Sequence, residues 1–196
     1  MRRDHIERVL RWAVVELGTA GLSDKLGRQV VTPMAPAQVS PPGATIAGPV
    51  VIMERSRRGG APGSSFQALT DCVRPGSVVL VRTEPETGGA FGSNVALHVA
   101  CLRAQALIAD GPARDTSRVA LVGMPCGWVG TNPRRPSAGM LRVPAGTLFG
   151  AEWGEGDWFL RDADGVIRLD PDQAAAAAAA LAKEAEDQLA PMLAGA

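Results

Sequence analysis

A chain of 196 residues is long enough for one compact domain with a real core. Its 20 basic residues balance 20 acidic ones, and a formal net charge of zero gives no general pull toward nucleic acid or anionic membranes. With no Tyr and four Phe the core must be aliphatic, and 23 Gly with 15 Pro imply many turns.

Residues 3–18 carry Ile6, Val9, Leu10, Ala13, Val14 and Leu17 at helical spacing, so an amphipathic helix is expected, ended by Gly18 and Gly21. Ser23 then caps a short second helix through Leu26. The apolar run here is too short for a signal core or a membrane span. Cys72, Cys101 and Cys126 are odd in number and widely spaced, which argues against a zinc ribbon or a disulfide framework. Buried reduced thiols in a cytoplasmic, soluble protein are expected instead.

The proline-rich stretch 32–43 reads as an extended connector, and 44–54 as a long strand interrupted by a bulge or an edge position near Gly48-Pro49. Residues 55–64, RSRRGGAPGS, read either as a loop that holds a phosphate or carboxylate or, more simply, as an exposed mobile loop. Ser65 is placed to cap a helix running through Cys72, and Pro75-Gly76 is a turn leading into the strand Val78–Val81.

The stretch 88–115 organises the rest. Gly88, Gly89 and Gly92 lead into a helix, then a buried strand, then a tight loop ending in Arg114-Asp115. A helix start after glycines is a ready anion site. Arg114 offers a planar fork for a carboxylate, and Asp115 a hard oxygen for a divalent cation. The spacing also suits a plain surface ion pair beside a common turn. His98, on the helix, reads as a packing or interface histidine.

Beyond Asp115 come a short helix, a strand over 126–129 and a polar loop 130–138 with Arg134 and Arg135. Met140–Val143 and Gly146–Phe149 read as a small hairpin, 156–171 as a cleaner hairpin around Asp162–Gly165, and 171–190 as the closing helix. This order implies a single layered α/β domain with a mixed sheet over 1–196, with N-terminal helices in 1–28 and a C-terminal helix.

The segments SDKLGR (23–28), PPGATIAGPVV (41–51), RPGSVVLV (74–81), the Gly92 helix, DGPARD (110–115) and GDWFLRDADGVI (156–167) carry a resemblance. In this order they resemble the RraA-like family, which holds the regulator of ribonuclease E activity and the 4-hydroxy-4-methyl-2-oxoglutarate aldolases. The resemblance implies a swivelling β/β/α sandwich, assembly into trimers or hexamers, and a divalent cation, Mg2+ or Mn2+. By position, Gly92, Ser93, Asn94 and Val95 match the turn that holds the substrate carboxylate. Arg114 matches the substrate-binding arginine and Asp115 the metal-binding aspartate, and these two are the catalytic candidates. Family aldolases often carry acids where this chain has Ser93 and, after the Arg-Asp pair, Thr116, Ser117 and Arg118. An acid from a neighbour's C-terminal helix can contribute in the family, and Glu184, Glu186 and Asp187 are the candidates here.

The expected function is therefore a metal-dependent carbon–carbon lyase. It would act by retro-aldol cleavage or decarboxylation of a small 2-oxo acid, through a pyruvate-type enolate. The alternatives are a non-catalytic regulator with a vestigial site, and a tailoring enzyme that uses the Arg55–Arg58 loop and Arg118 for another substrate. No nucleic-acid or membrane partner is expected.

Overall fold

The computed structural model describes residues 2–27, 30–32, 35, 36 and 38–194, with the backbone alone for Pro85 and residues 187–194. Among them, a curled mixed sheet is built on three consecutive strand–helix–strand units. These are β2 (Ile46–Arg55), α2 (Ser64–Cys72), β3 (Val78–Thr83), α3 (Ser93–Cys101), β4 (Ala106–Asp110), α4 (Thr116–Val119) and β5 (Cys126–Trp128). Strands β2, β3, β4 and β5 lie parallel in that order, and β1 (Gln38–Ser40) closes the far edge antiparallel to β5. The expected connector thus contributes an edge strand; its Pro33, Met34 and Ala37 lie outside the described residues.

Alternation sorts the strands' side chains. Val51, Met53, Val79, Val81, Leu107 and Ala109 pack on one face against Leu69 of α2, Val99 of α3 and Val119 of α4. Val50, Ile52, Val78, Leu80, Ala106 and Ile108 pack on the other face against Leu148, Phe149 and Trp153. Those last three belong to a hairpin of β7 (Ala145–Leu148) and β8 (Ala151–Gly154). This corrects the expected pairing of Met140–Val143 with Gly146–Phe149. The strand β6 (Met140–Arg142) pairs with the end of β2 instead. Only Phe149 and Gly150, with φ of 52° and 73°, meet the left-handed demand of a tight two-residue turn; the Val143-Pro144 link between the two runs does not.

Strand β2 has two sets of partners. Ile46–Pro49 pair antiparallel with β9 (Trp158–Arg161), and Val50–Arg55 pair parallel with β3. Gly48-Pro49 is therefore neither a bulge nor an edge. It is the hand-over between partners, where the N–H that proline lacks is not needed by the next ladder. Val50 restarts the pattern, its N–H donating to the Asp157 carbonyl at 2.6 Å. Strands β9 and β10 (Val166–Leu169) form the expected second hairpin. Their outer face is covered by α1 (Arg3–Leu26) and α5 (Pro171–Ala194) through Leu10, Val14, Leu22, Trp158, Leu160, Ile167, Ala174, Ala178 and Leu181. The poly-alanine face lets α5 approach closely.

Helix α1 is broken at Gly18 (φ 68°, ψ 171°) and resumes at once, so its second segment starts at Thr19 rather than Ser23. A distant cap explains this. Asp162, from the β9–β10 turn, accepts the Thr19 N–H at 2.7 Å and the Thr19 hydroxyl at 2.6 Å. Burial alone would raise the Asp162 carboxyl. Those bonds, with the N–H groups of Asp164 and Gly165, outweigh burial and hold it below its ordinary value. A carboxyl lowered in the folded state stabilises above its unfolded value and loses that contribution as pH falls through the folded one. Asp162→Ala is thus expected to cost about 1–2 kcal/mol at pH 7, read as a fall of several degrees in Tm. The gap to wild type should close below about pH 4, and a gap unchanged at pH 3 would refute the role.

The cysteine expectation needs one correction: Cys126 is buried, its thiol pushed up to about 12 by burial, and Cys72 is half-buried, but Cys101 is exposed. No helix among the described residues is long and apolar enough to cross a membrane.

Candidate functional site

The parallel strands end at Arg55, Thr83 and Asp110, so their following loops converge on one side of the sheet. Backbone hydrogen bonds stitch these loops together. Ala90 N–H donates to the Pro112 carbonyl (2.6 Å), Arg114 N–H to Phe91 (3.0 Å), Ala113 N–H to Gly130 (3.2 Å) and Asn132 N–H to Ala113 (3.0 Å). The glycine turn, the DGPARD loop and the 130–138 loop thus form one rigid rim.

Helix α3 opens into that rim. Its first intrahelical bond runs from Ala96 N–H to the Gly92 carbonyl at 3.0 Å, and no side chain caps the start. The N–H groups of Ser93, Asn94 and Val95 therefore have no intrahelical acceptor. Gly92 is required by proximity: a Cβ there would lie 2.9 Å from Arg114 Cγ and 3.1 Å from Asp115 Oδ2.

Asp115 sits in the left-handed region (φ 53°, ψ 36°), a conformation that costs energy and that Asp tolerates better than most residues. The turn aims its carboxylate at the α3 opening, and Arg114 Nε donates to Asp115 Oδ2 at 3.1 Å. Gly92, Asn94, Val95, Arg114 and Asp115 share a cavity of about 300 Å³. Ser93 begins α3 but does not line it.

Three further lining residues carry chemistry: Arg55 and Arg135, which sequence reasoning offered to an anion only as the alternative to solvated surface, and Phe66, which it did not single out. Arg135 reaches the cavity from the 130–138 loop, and Phe66 forms a wall from α2. His98 steadies that wall: its ring meets Phe66 edge-on at 5.2 Å, and its Nε2 lies 3.0 Å from Thr70 Oγ1 and 3.1 Å from the Phe66 carbonyl. The third is Arg55. Far from belonging to a mobile loop, it is the last residue of β2 and is fully buried. Its signal was legible only as the end of an apolar strand run. By contrast Arg57 pairs with the exposed Glu86 at 3.2 Å, and Arg58, itself exposed, pairs with the buried Glu54 at 2.7 Å.

The cavity therefore presents three guanidinium groups, Arg55, Arg114 and Arg135, against one carboxylate, Asp115. As a cation site its donor set is sparse. No group of three His, Cys, Asp or Glu side chains able to hold a metal occurs among the described residues. Asp115 Oδ1 accepts no hydrogen bond from these residues, and the neighbouring positions offer only the neutral hydroxyls of Ser93, Thr116 and Ser117. One hard carboxylate with open positions fits Mg2+ or Mn2+, which keep several waters and complete their shell with substrate oxygens. It does not fit a tightly caged structural ion.

Glu184 is held by its own chain, both carboxylate oxygens 2.7 Å from Lys25 Nζ; Glu186 is exposed, and the Asp187 side chain lies outside the described residues. Arg118 lies exposed on α4.

Comparison with known proteins gives the family and the fold. A family model described as RraA-like, Aldolase/RraA, matches residues 19–168. The Streptomyces coelicolor protein RraAS2, an unusual member of the RNase ES inhibitor RraA family, is similar in structure at 20% identity, with a TM-score of 0.70 over 95% of this chain and 96% of that one. An S-adenosylmethionine:2-dimethylmenaquinone methyltransferase from Geobacillus kaustophilus matches at 22% identity and TM-score 0.66, over 78% and 94% of the two chains. The RNA-processing inhibitor RraA from Thermus thermophilus matches at 19% and 0.61, over 78% and 92%. At these identities the likeness shows the fold. None of the curated proteins matches the sequence.

Proposed function

The chain belongs to the RraA-like family of aldolases and RraA proteins, and from that premise we propose that it is a divalent-cation-dependent carbon–carbon lyase acting on a small 2-oxo acid. The observation that carries this reading is the shared cavity: the uncapped start of α3, the Arg114 fork and the Asp115 carboxylate all face it. The orphan N–H groups of Ser93, Asn94 and Val95 bind the substrate carboxylate. Arg114 orients the neighbouring oxygen through its free guanidinium edge. When the C3–C4 bond breaks, its electron pair becomes the C2=C3 double bond and the keto π pair moves to oxygen; the C4 fragment leaves as CO2, or as a carbonyl once its hydroxyl gives a proton to water, and water later returns a proton to C3. The product is a pyruvate enolate whose charge Arg114 and the helix start stabilise. Asp115 would hold Mg2+ or Mn2+, which supplies Lewis-acid polarisation of the keto group. In this reading the chain works as one domain over residues 1–196, in the cytoplasm, as a homotrimer or hexamer.

The experiment is direct. Purified protein given oxaloacetate should release pyruvate with magnesium and stop after chelation and dialysis; undiminished release after chelation would overturn the proposal. Gly92→Ala refines it. The new Cβ displaces Arg114 and Asp115 but not the core, so pyruvate release should fall by about 10²-fold, the effect of one misplaced oxyanion contact. Tm should stay within about 3 °C, a shift of roughly 1 kcal/mol for a chain of this size.

A second reading, a regulator without catalysis, draws on Ser93 and Arg118 standing where family aldolases carry acids. It predicts no pyruvate release at any magnesium concentration.

A further inference from the structure

At the other end of the parallel strands from the cavity, where β3 begins beside Val50 of β2, lies another recess of about 210 Å³. Its lining is rich in donors and includes one carboxylate, Glu155. That carboxylate is consumed: Arg142 Nε donates to Glu155 Oε2 at 2.9 Å, and Arg142 Nη2 donates to Oε1. Arg74 has no carboxylate partner among the described residues. Its Nη1 donates to the Val73 carbonyl at 3.0 Å and its Nη2 to the Asp71 carbonyl at 2.9 Å, at the end of α2. Those bonds fix the guanidinium and leave Nε and one hydrogen on each Nη uncommitted. Ser77 is 1% exposed. Its hydroxyl accepts from Arg74 N–H at 3.3 Å, and its own hydrogen has no acceptor among the described residues. Arg3 reaches the recess from the first turn of α1, a helix whose start no side chain caps. Three guanidinium groups and a buried hydroxyl thus meet with no free acceptor between them, and like charges gathered in a partly enclosed space repel. An anion is what the arrangement lacks.

We propose that this recess binds a small inorganic oxyanion of the sulfate type, held by Arg74, Arg142, the Ser77 hydroxyl and the charge of Arg3. Guanidinium forks beside a hydroxyl suit a compact anion with several oxygens. The volume takes an ion with a few waters and lies below the range of about 300–1,000 Å³ typical of sites for whole metabolites. The carbonyls of α2 and the Glu155 carboxylate already position the donors, so binding orders little. The bound ion ties the start of α1 and the end of α2 to β6. The site needs nothing from the chemistry proposed for the cavity at the α3 start.

Cys72 can report on the recess, because its half-buried thiol lines it. Burial raises the thiol, and the charges of Arg142 and Arg74 oppose that rise. A bound anion offsets those charges and crowds the sulfur, and both effects slow alkylation, which proceeds through the thiolate. A sulfate ion drawn to the arginines of the other cavity would not touch Cys72. Tm is a poor readout, since sulfate stabilises folded proteins generally. Cys101→Ser removes the exposed thiol, and Cys126 is buried. In that background, labelling of Cys72 by iodoacetamide should slow about 3-fold or more as sulfate rises, with a midpoint near about 1 mM. Chloride at equal ionic strength should not reproduce the effect. Arg74→Gln should abolish the protection and Arg74→Lys keep part of it. Arg3→Gln should raise the midpoint about 3-fold, the worth of one exposed charge. Equal slowing by sulfate and chloride overturns the site, as does a midpoint above about 100 mM, or one that neither Arg74→Gln nor Arg3→Gln moves. Should Arg74→Gln fail to fold, the wild-type comparison and the Arg3→Gln midpoint decide.

Discussion

Asp115→Asn is expected to lower magnesium-dependent pyruvate release from oxaloacetate by about 10³-fold, close to 4 kcal/mol of barrier. Asparagine is the informative replacement. It tolerates the left-handed backbone at φ 53° nearly as well as aspartate, so the turn stays in place. Its side-chain oxygen can still accept from Arg114 Nε, the bond that aspartate makes at 3.1 Å. What it loses is the only carboxylate among the described residues that line the cavity. Two further oxygens remain nearby on Thr116 and Ser117, but neutral hydroxyls hold Mg2+ weakly beside three guanidinium groups. The measurement is kcat at saturating magnesium, with melting as a control. An Asn variant within about 3-fold of wild type, far short of the several kcal/mol a Lewis acid supplies, would show that Asp115 holds nothing essential.

A large effect on stability is expected at Gly48→Ala, inside β2. A Cβ there would come under 3.0 Å from the Gly76 carbonyl oxygen and 3.1 Å from Val78 Cγ2. Neither neighbour can swing away. The Gly76 carbonyl belongs to the turn that launches β3, fixed by the Gly76 N–H bond to the Arg103 carbonyl at 2.9 Å. Overpacking against backbone falls at the upper end of its usual cost, about 3 kcal/mol, or roughly 6–12 °C in Tm for a chain of this length. Gly63→Ala is the matching control. Gly63 has φ −66° with nothing within 4 Å of the added carbon, so it should leave Tm unchanged or slightly raised. Equal melting of the two variants would refute the close approach.

Local pattern was a good guide wherever local physics dominates. The β-branched runs of β3 and β4, the α3 start after Gly92, the Asp162–Gly165 turn and the alanine-rich α5 could each be read from neighbours in sequence. The features missed are all set by distant partners. Helix α1 resumes at Thr19 because Asp162, from the other end of the chain, caps it. Strand β6 pairs with the end of β2, far back in the chain, rather than with the strand next to it in sequence. Pro49 sits inside a central strand because a change of partners spares it a donor. Within the site, Arg114 and Asp115 could be nominated from motif and turn chemistry. Arg55 could be offered only together with Arg57 and Arg58, as one loop that holds an anion or lies in solvent, and only the fold separates the buried one from its exposed neighbours.

The divided pairing of β2 has a bearing on how the chain is made. Val50–Arg55 pair with β3, which follows closely in sequence, whereas the partner of Ile46–Pro49, Trp158–Arg161, is synthesised far later. Through most of synthesis that half-strand is an open ladder beside apolar side chains, the kind of template on which nascent chains cross-associate. Pro49 presents no donor to an intruding strand, and Gly48 offers it no side chain to grip. The pair that makes the hand-over possible in the finished sheet thus also guards the vacant edge while it waits.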